Sequence, residues 1–160
     1  MSADDGYDLI VRNGMVVDGT GLPRRRVDVG IRDGRVAKLG HLDGAGAAEE
    51  LDAEGLIVAP GIVDPHTHYD PQITFDPYAT VSCFHGVTTV VAGNCGVGFA
   101  PVRPGQQTML VELMEGVEDI PGTALHEGIQ WEWETFPEYL DALARREYAI
   151  DVAAFIPHAP

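Results

Sequence analysis

Past Gly55 the pattern of the chain changes. Before it, short strand runs flank turn dipeptides; after it, near-continuous apolar runs at residues 57–63, 87–92 and 149–156 alternate with helix-like stretches. Strands that are apolar at nearly every position need cover on both faces, and alternation with helices joins them as parallel neighbours. The expected fold class is therefore α/β, with a parallel, doubly covered sheet opening near Val58.

Residues 7–56 read as a small antiparallel unit. Leu9-Ile10-Val11 and Met15-Val16-Val17 flank Asn13-Gly14, and residues 27–31 and 35–39 flank Asp33-Gly34. Both dipeptides supply the positive φ that tight hairpin turns need, so two hairpins are expected. The glycine- and alanine-rich stretch 41–50 reads as a loop. The division falls at residues 1–57 and 58–160.

In the second part, residues 76–84 read as a helical crossover between the first two apolar strands. Residues 106–116 read as a helix whose stripe of Met109, Leu110, Leu113 and Met114 packs in the core. Thr135 with Glu138 forms a capping box that opens another helix with Phe136, Tyr139, Leu140 and Leu143 on its apolar face. Trp131 and Trp133, two residues apart, share a side if extended and either cap a pocket or, the preferred reading, cover an exposed edge.

The first long apolar run leads into His66-Thr67-His68. In extended chain, side chains two apart share a side, so both imidazoles can reach one ion. The second run ends at Asn94-Cys95-Gly96. If the two strands are parallel neighbours, Cys95 comes beside the histidine pair, and two imidazoles with a thiolate suit zinc. Asp64 either orients this site or caps the strand end. Tyr69 and Asp70 are candidates to line the pocket. His158, at the end of the third apolar run, is a candidate to face substrate or stand behind the ligands. His41, His85 and His126 read as structural or exposed. Gly96-Val97-Gly98 lacks the lysine and spacing of a phosphate loop.

The formal net charge of −15 argues against nucleic acid, whose binding rests on clustered lysine and arginine; Arg24-Arg25-Arg26 is too short a cluster to reverse this. No apolar run reaches membrane-spanning length, and residues 1–6 lack the basic start and apolar centre of a leader. A cytoplasmic protein with no membrane partner is expected. Cys83 and Cys95 stand outside any C-x-x-C motif and are expected to be reduced, with Cys83 a small buried hydrophobe.

The ordered words Ala59-Pro60-Gly61-Ile62-Val63-Asp64 before His66-Thr67-His68, then Gly86-Val87-Thr88-Thr89-Val90, then Gly93-Asn94-Cys95-Gly96-Val97-Gly98 resemble the amidohydrolase superfamily, and within it the D-aminoacylase (N-acyl-D-amino-acid deacylase) group. The likeness extends through Glu132-Trp133-Glu134-Thr135-Phe136-Pro137-Glu138-Tyr139. It implies a (β/α)8 metal-dependent hydrolase barrel, of which about three strands fit in residues 58–160, preceded by a small β-sandwich portion. It also implies one or two Zn2+ ions held by His66, His68 and Cys95, and a small-molecule N-acyl-amino-acid substrate hydrolysed to a D-amino acid and a carboxylate. The family's catalytic base, a late-strand aspartate, and its middle-strand histidine ligands have no counterpart in these residues. The chain is accordingly expected to be an inactive N-terminal piece of such an enzyme. A cyclic-amide hydrolase of the hydantoinase kind is the neighbouring alternative; many such enzymes use a carboxylated lysine, whereas the single lysine here, Lys38, lies in the N-terminal unit. A non-catalytic metal- or partner-binding remnant is the other.

Overall fold

The computed structural model describes residues 6–160; residues 1–5, most of the start read above as lacking a leader, lie outside the described residues. The chain divides into two units, Met1–Pro60 and Gly61–Pro160.

Among the described residues the first unit has seven strands: β1 (Tyr7–Arg12), β2 (Met15–Val16), β3 (Arg25–Arg26), β4 (Asp28–Arg32), β5 (Arg35–Gly40), β6 (Ala47–Asp52) and β7 (Ile57–Val58). They form two sheets, ordered β5-β4-β1-β6 and β3-β2-β7. The Asp33-Gly34 hairpin forms between β4 and β5, with both turn residues at positive φ (52° and 69°). The Asn13-Gly14 hairpin does not. Only Asn13 is left-handed there (φ 62°), and one such residue redirects the chain without closing a two-residue turn. β1 instead pairs with β4 and β6, while β2 pairs with β3 and β7 in the other sheet.

Two of those pairings, β1 with β6 and β2 with β7, are parallel, so the unit is mixed rather than antiparallel. β6 lies across the stretch expected to be a loop. Its sequence, Ala-Ala-Glu-Glu-Leu-Asp, has little intrinsic strand preference; the ladder from Tyr7↔Ala47 to Arg12↔Asp52 and the Arg12–Glu50 ion pair at 2.6 Å hold it. Asp28 is buried at the centre of this unit. Burial pushes its carboxyl up, but the N–H groups of Asn13 and Leu42, each donating at 3.0 Å, and Arg12 at 3.6 Å outweigh that and hold it below the ordinary carboxylate range. Val11, Val16, Val29 and Ala53 form the apolar cluster.

The second unit opens with β8 (Ile62–Asp64) and β9 (Val87–Ala92), continues through α1 (Gln107–Glu118), α2 (Gly122–Gly128) and α3 (Phe136–Ala144), and closes with β10 (Asp151–Ala154). The three strands are parallel in the order β10-β9-β8. Double cover is not seen in these residues: Ile62 and Val63 stay 55% and 59% exposed. Residues 76–84 are not a helix either, and carry only the end of a region with short 3-10 turns at Gln72–Thr74 and Ser82–His85. Pro77 has no N–H to give, and the Asp76 carboxylate takes the N–H of Tyr78 and of Thr80 at 3.0 and 2.8 Å, in competition with helical bonding.

α1 runs close to its expected span, but its buried face is Leu110, Val111 and Met114, with Met109 and Leu113 exposed. α2 had no counterpart in the sequence reading. α3 starts at Thr135 with the capping box in place: the Glu138 N–H donates to Oγ1, and the Glu138 carboxylate accepts from the Thr135 N–H at 2.8 Å. Trp133 does not cover an edge. It is 4% exposed, its indole N–H donates to the Phe99 carbonyl at 2.7 Å, and its ring meets Tyr139 edge-on at 4.9 Å. Phe99, Leu110, Met114, Leu125, Trp133 and Tyr139 form the core of this unit, against which Val152 and Ala154 of β10 pack.

A candidate metal centre at the strand ends

β8 leaves the ladder at Asp64, paired with Val90 of β9. Extended pairing continues one step further, because Thr67 donates both its N–H and its hydroxyl to the Val91 carbonyl at 2.9 and 3.0 Å. Thr67 is thereby turned inward and buried, and its neighbours His66 and His68 fall on the opposite, more open side. The Asp64 carboxylate accepts the His66 N–H at 3.2 Å, which fixes where the chain leaves the strand.

The other half of the site is the turn after β9. Gly93 has φ +77°, and a Cβ there would run into the Phe155 carbonyl just past β10, so only glycine fits. The Gly96 N–H returns to the Gly93 carbonyl at 3.1 Å, and the Asn94 side-chain amide donates to the Pro65 carbonyl at 2.8 Å, tying this turn to the histidine segment. The result is convergence: one donor atom each from His66, His68 and Cys95 lie within 4.8 Å of one another. The two imidazole rings are 5.6 Å apart, and the Cys95 sulfur accepts the Val97 N–H at 3.4 Å.

Two nitrogens and a sulfur are the donor chemistry of zinc sites, and a tetrahedral ion would set them about 3.5 Å apart. The three converging donors would supply three of the four positions of such a site. Both cysteines are free thiols; Cys95 is exposed and Cys83 is half-buried rather than buried.

The remaining predicted residues are not brought together equally. Tyr69 lines a cleft of about 270 Å³ with His66, His68, Ser82, Glu118 and Ile120, and its hydroxyl meets Ser82 Oγ at 2.8 Å. Asp70 is only 2% exposed; its carboxylate accepts the Gly93 N–H at 3.3 Å and its backbone carbonyl accepts the Tyr139 hydroxyl at 3.1 Å. Burial pushes the Asp70 carboxyl up to about 6, against the pull of the Gly93 N–H and of His68. His158 is exposed beside the cysteine turn, where the Ala159 N–H donates to the Gly96 carbonyl at 2.8 Å, and it is not one of the three converging donors. Glu118, which no sequence pattern singled out, reaches His68: its carboxylate Oε1 contacts Nδ1 of the ring. No local spacing could have found it, since fifty residues separate the two.

Residues 49–159 match the amidohydrolase family. The chain is 36% identical over 161 aligned residues to a D-aminoacylase of Alcaligenes xylosoxydans xylosoxydans, covering 99% of this chain and 31% of that protein. Among solved structures it is similar to the N-acyl-D-glutamate deacylase of Bordetella bronchiseptica, solved with zinc and a phosphonate mimic of the tetrahedral intermediate. There the identity is 37% and the TM-score 0.77, over 96% of this chain and 30% of the other. A D-aminoacylase with a binuclear metal centre, described by one-metal activation and second-metal attenuation, is similar at 35% identity and TM-score 0.76, over 95% of this chain and 30% of that one. The chain therefore spans under a third of the length of these relatives.

Proposed function

Because the chain belongs to the amidohydrolase family, we propose that it carries the first metal ligands of a zinc-dependent N-acyl-D-amino-acid deacylase, which hydrolyses the amide to a D-amino acid and a carboxylate. The observation that carries this reading is the convergence of His66, His68 and Cys95 at the ends of adjacent parallel strands. On it, β8, β9 and β10 are the opening strands of a (β/α)8 barrel, whose functional groups gather at the carboxyl ends of the strands. Residues 1–57 are then part of a β-sandwich and residues 58–160 the start of the barrel.

The chemistry one or two bound zinc ions supply is Lewis acidity, which makes water a nucleophile near neutral pH and polarises the amide carbonyl. His66, His68 and Cys95 hold the metal. The Tyr69 hydroxyl, paired with Ser82 at the cleft, presents a hydrogen-bonding group to the substrate, and His158, exposed beside the cysteine turn, is a second residue that meets it. Asp70 supports the site from behind by holding Gly93. The proton-transferring base of the family belongs to a later barrel strand, so these 160 residues bind metal without turning over substrate. A cytoplasmic location goes with this reading, since a reducing compartment keeps a free, exposed thiol such as Cys95 from oxidation. Cys95 within the donor set favours a deacylase over a cyclic-amide hydrolase.

Metal analysis tests the ligand set. Zinc content is expected to fall in Cys95→Ala and in the His66→Ala/His68→Ala double variant, and unchanged content in both would overturn it. The reaction is tested in a chimera in which these residues replace the matching part of the Alcaligenes D-aminoacylase. It should release D-amino acids from N-acetyl-D-amino acids and leave hydantoin intact; the reverse preference would support the cyclic-amide reading.

A further inference from the structure

From the contact between α1 and the histidine segment we infer that Glu118 is a positioning residue for the metal site: it keeps a proton on Nδ1 of His68 and so directs the Nε2 lone pair toward the ion. The inference rests on the ligand set proposed above.

Three observations support it. The Glu118 carboxylate contacts Nδ1 of His68, yet Glu118 is not among the residues whose donor atoms converge with Cys95 and His66. A carboxylate on one ring nitrogen selects the tautomer that leaves the other nitrogen free as a metal donor, and it raises the basicity of that donor. Glu118 is also the last residue of α1, in a turn with no basic residue and with Asp119 in the left-handed conformation at the helix end. A carboxylate there faces the negative end of the helix dipole and is disfavoured unless something offsets it. The imidazole N–H does so, and the helix end together with the carboxylate makes a negative potential that favours keeping the proton on Nδ1. Finally, the carboxylate is held by a helix and not by a free loop: Leu110, Val111 and Met114 of α1 are all within 1% of full burial. Among the described residues His66 has no such carboxylate partner, so the two histidines are not equivalent. His68 is set before the metal arrives.

The test uses the 160-residue protein with 15N-labelled histidine. Long-range 1H–15N correlation spectra of the metal-free protein should show His68 as the Nδ1–H tautomer, assigned by loss of its signals in His68→Ala. Glu118→Ala should lose that preference and weaken zinc about ten- to a hundredfold in a chelator competition. Glu118→Gln keeps an acceptor oxygen and should fall between, with the tautomer retained; its amide spectrum reports whether the fold is intact. A tautomer and an affinity both unchanged in Glu118→Ala would overturn the inference. So would a loss of bound zinc equivalents at unchanged affinity, since that would make Glu118 a ligand. His66→Ala and Cys95→Ala separate the two claims: if they keep zinc, the ligand set fails, and if they lose it while Glu118→Ala does not respond, only the positioning role fails.

Discussion

Gly93 shows how much of this site hangs on single residues. It is left-handed, its N–H is bound by the buried Asp70 carboxylate, and its α-carbon lies against the Phe155 carbonyl. A side chain there must pay the left-handed penalty and also push two strand ends apart. Gly93→Ala is expected to destabilise the protein by about 1–3 kcal/mol or more in urea unfolding and to weaken zinc binding, because the turn it shapes carries Cys95. The histidine pair, the aspartate before it and the cysteine after the second strand were all legible in the sequence, since each belongs to a short local pattern. Glu118 was not, because its chemistry comes from a contact between distant elements.

At the scale of elements, capping and charge can be tested separately. Thr135→Ala removes the side-chain acceptor for the Glu138 N–H at the start of α3 and should cost about 1 kcal/mol, read as a shift of the denaturant midpoint at constant slope. In the first unit, Asp28 joins β1, β4 and the segment after β5 through the Asn13 and Leu42 N–H groups. Its folded carboxyl lies below its ordinary value. A depressed carboxyl contributes stability that is present above the unfolded value of about 3.9 and lost as pH falls through the lower folded one. Thermal melts from pH 6 down to pH 2 should therefore show an acid-side loss that is shallower in Asp28→Asn, and a parallel loss in both proteins would refute this assignment. Two elements departed from expectation, each for its own physical reason. β6 has poor strand preference and exists through its ladder with β1, whereas residues 76–84 have the look of a crossover helix but lose it to the Asp76 carboxylate and Pro77.

For the whole molecule, the second unit exposes Ile62, Val63, Phe155 and Ile156, which lie in or just past its parallel strands. Apolar strand surface of this kind favours association. Size-exclusion chromatography with light scattering should find self-association that grows with concentration, and Val63→Lys or Ile156→Lys should reduce it; a monodisperse monomer with a sharp melt would show that these faces tolerate water. Zinc should raise the melting temperature of the wild type but not of the His66→Ala/His68→Ala variant, because a ligand bound only by the native state stabilises it by mass action.

Local patterns carry whatever repeats or abuts along the chain: the α/β class, the parallel apolar strands, the Asp33-Gly34 hairpin, the α3 cap, and the three donors placed after strands. These follow from backbone periodicity, turn chemistry and capping, which act over a few residues. The tertiary structure alone decided that β1 and β2 part into different sheets, that β6 is a strand, that Trp133 belongs to the core and that Asp70 is buried. It also brought Glu118 to His68. Each of those depends on which surfaces meet when helices and strands pack, and a contact across fifty residues leaves no trace in the spacing of either partner.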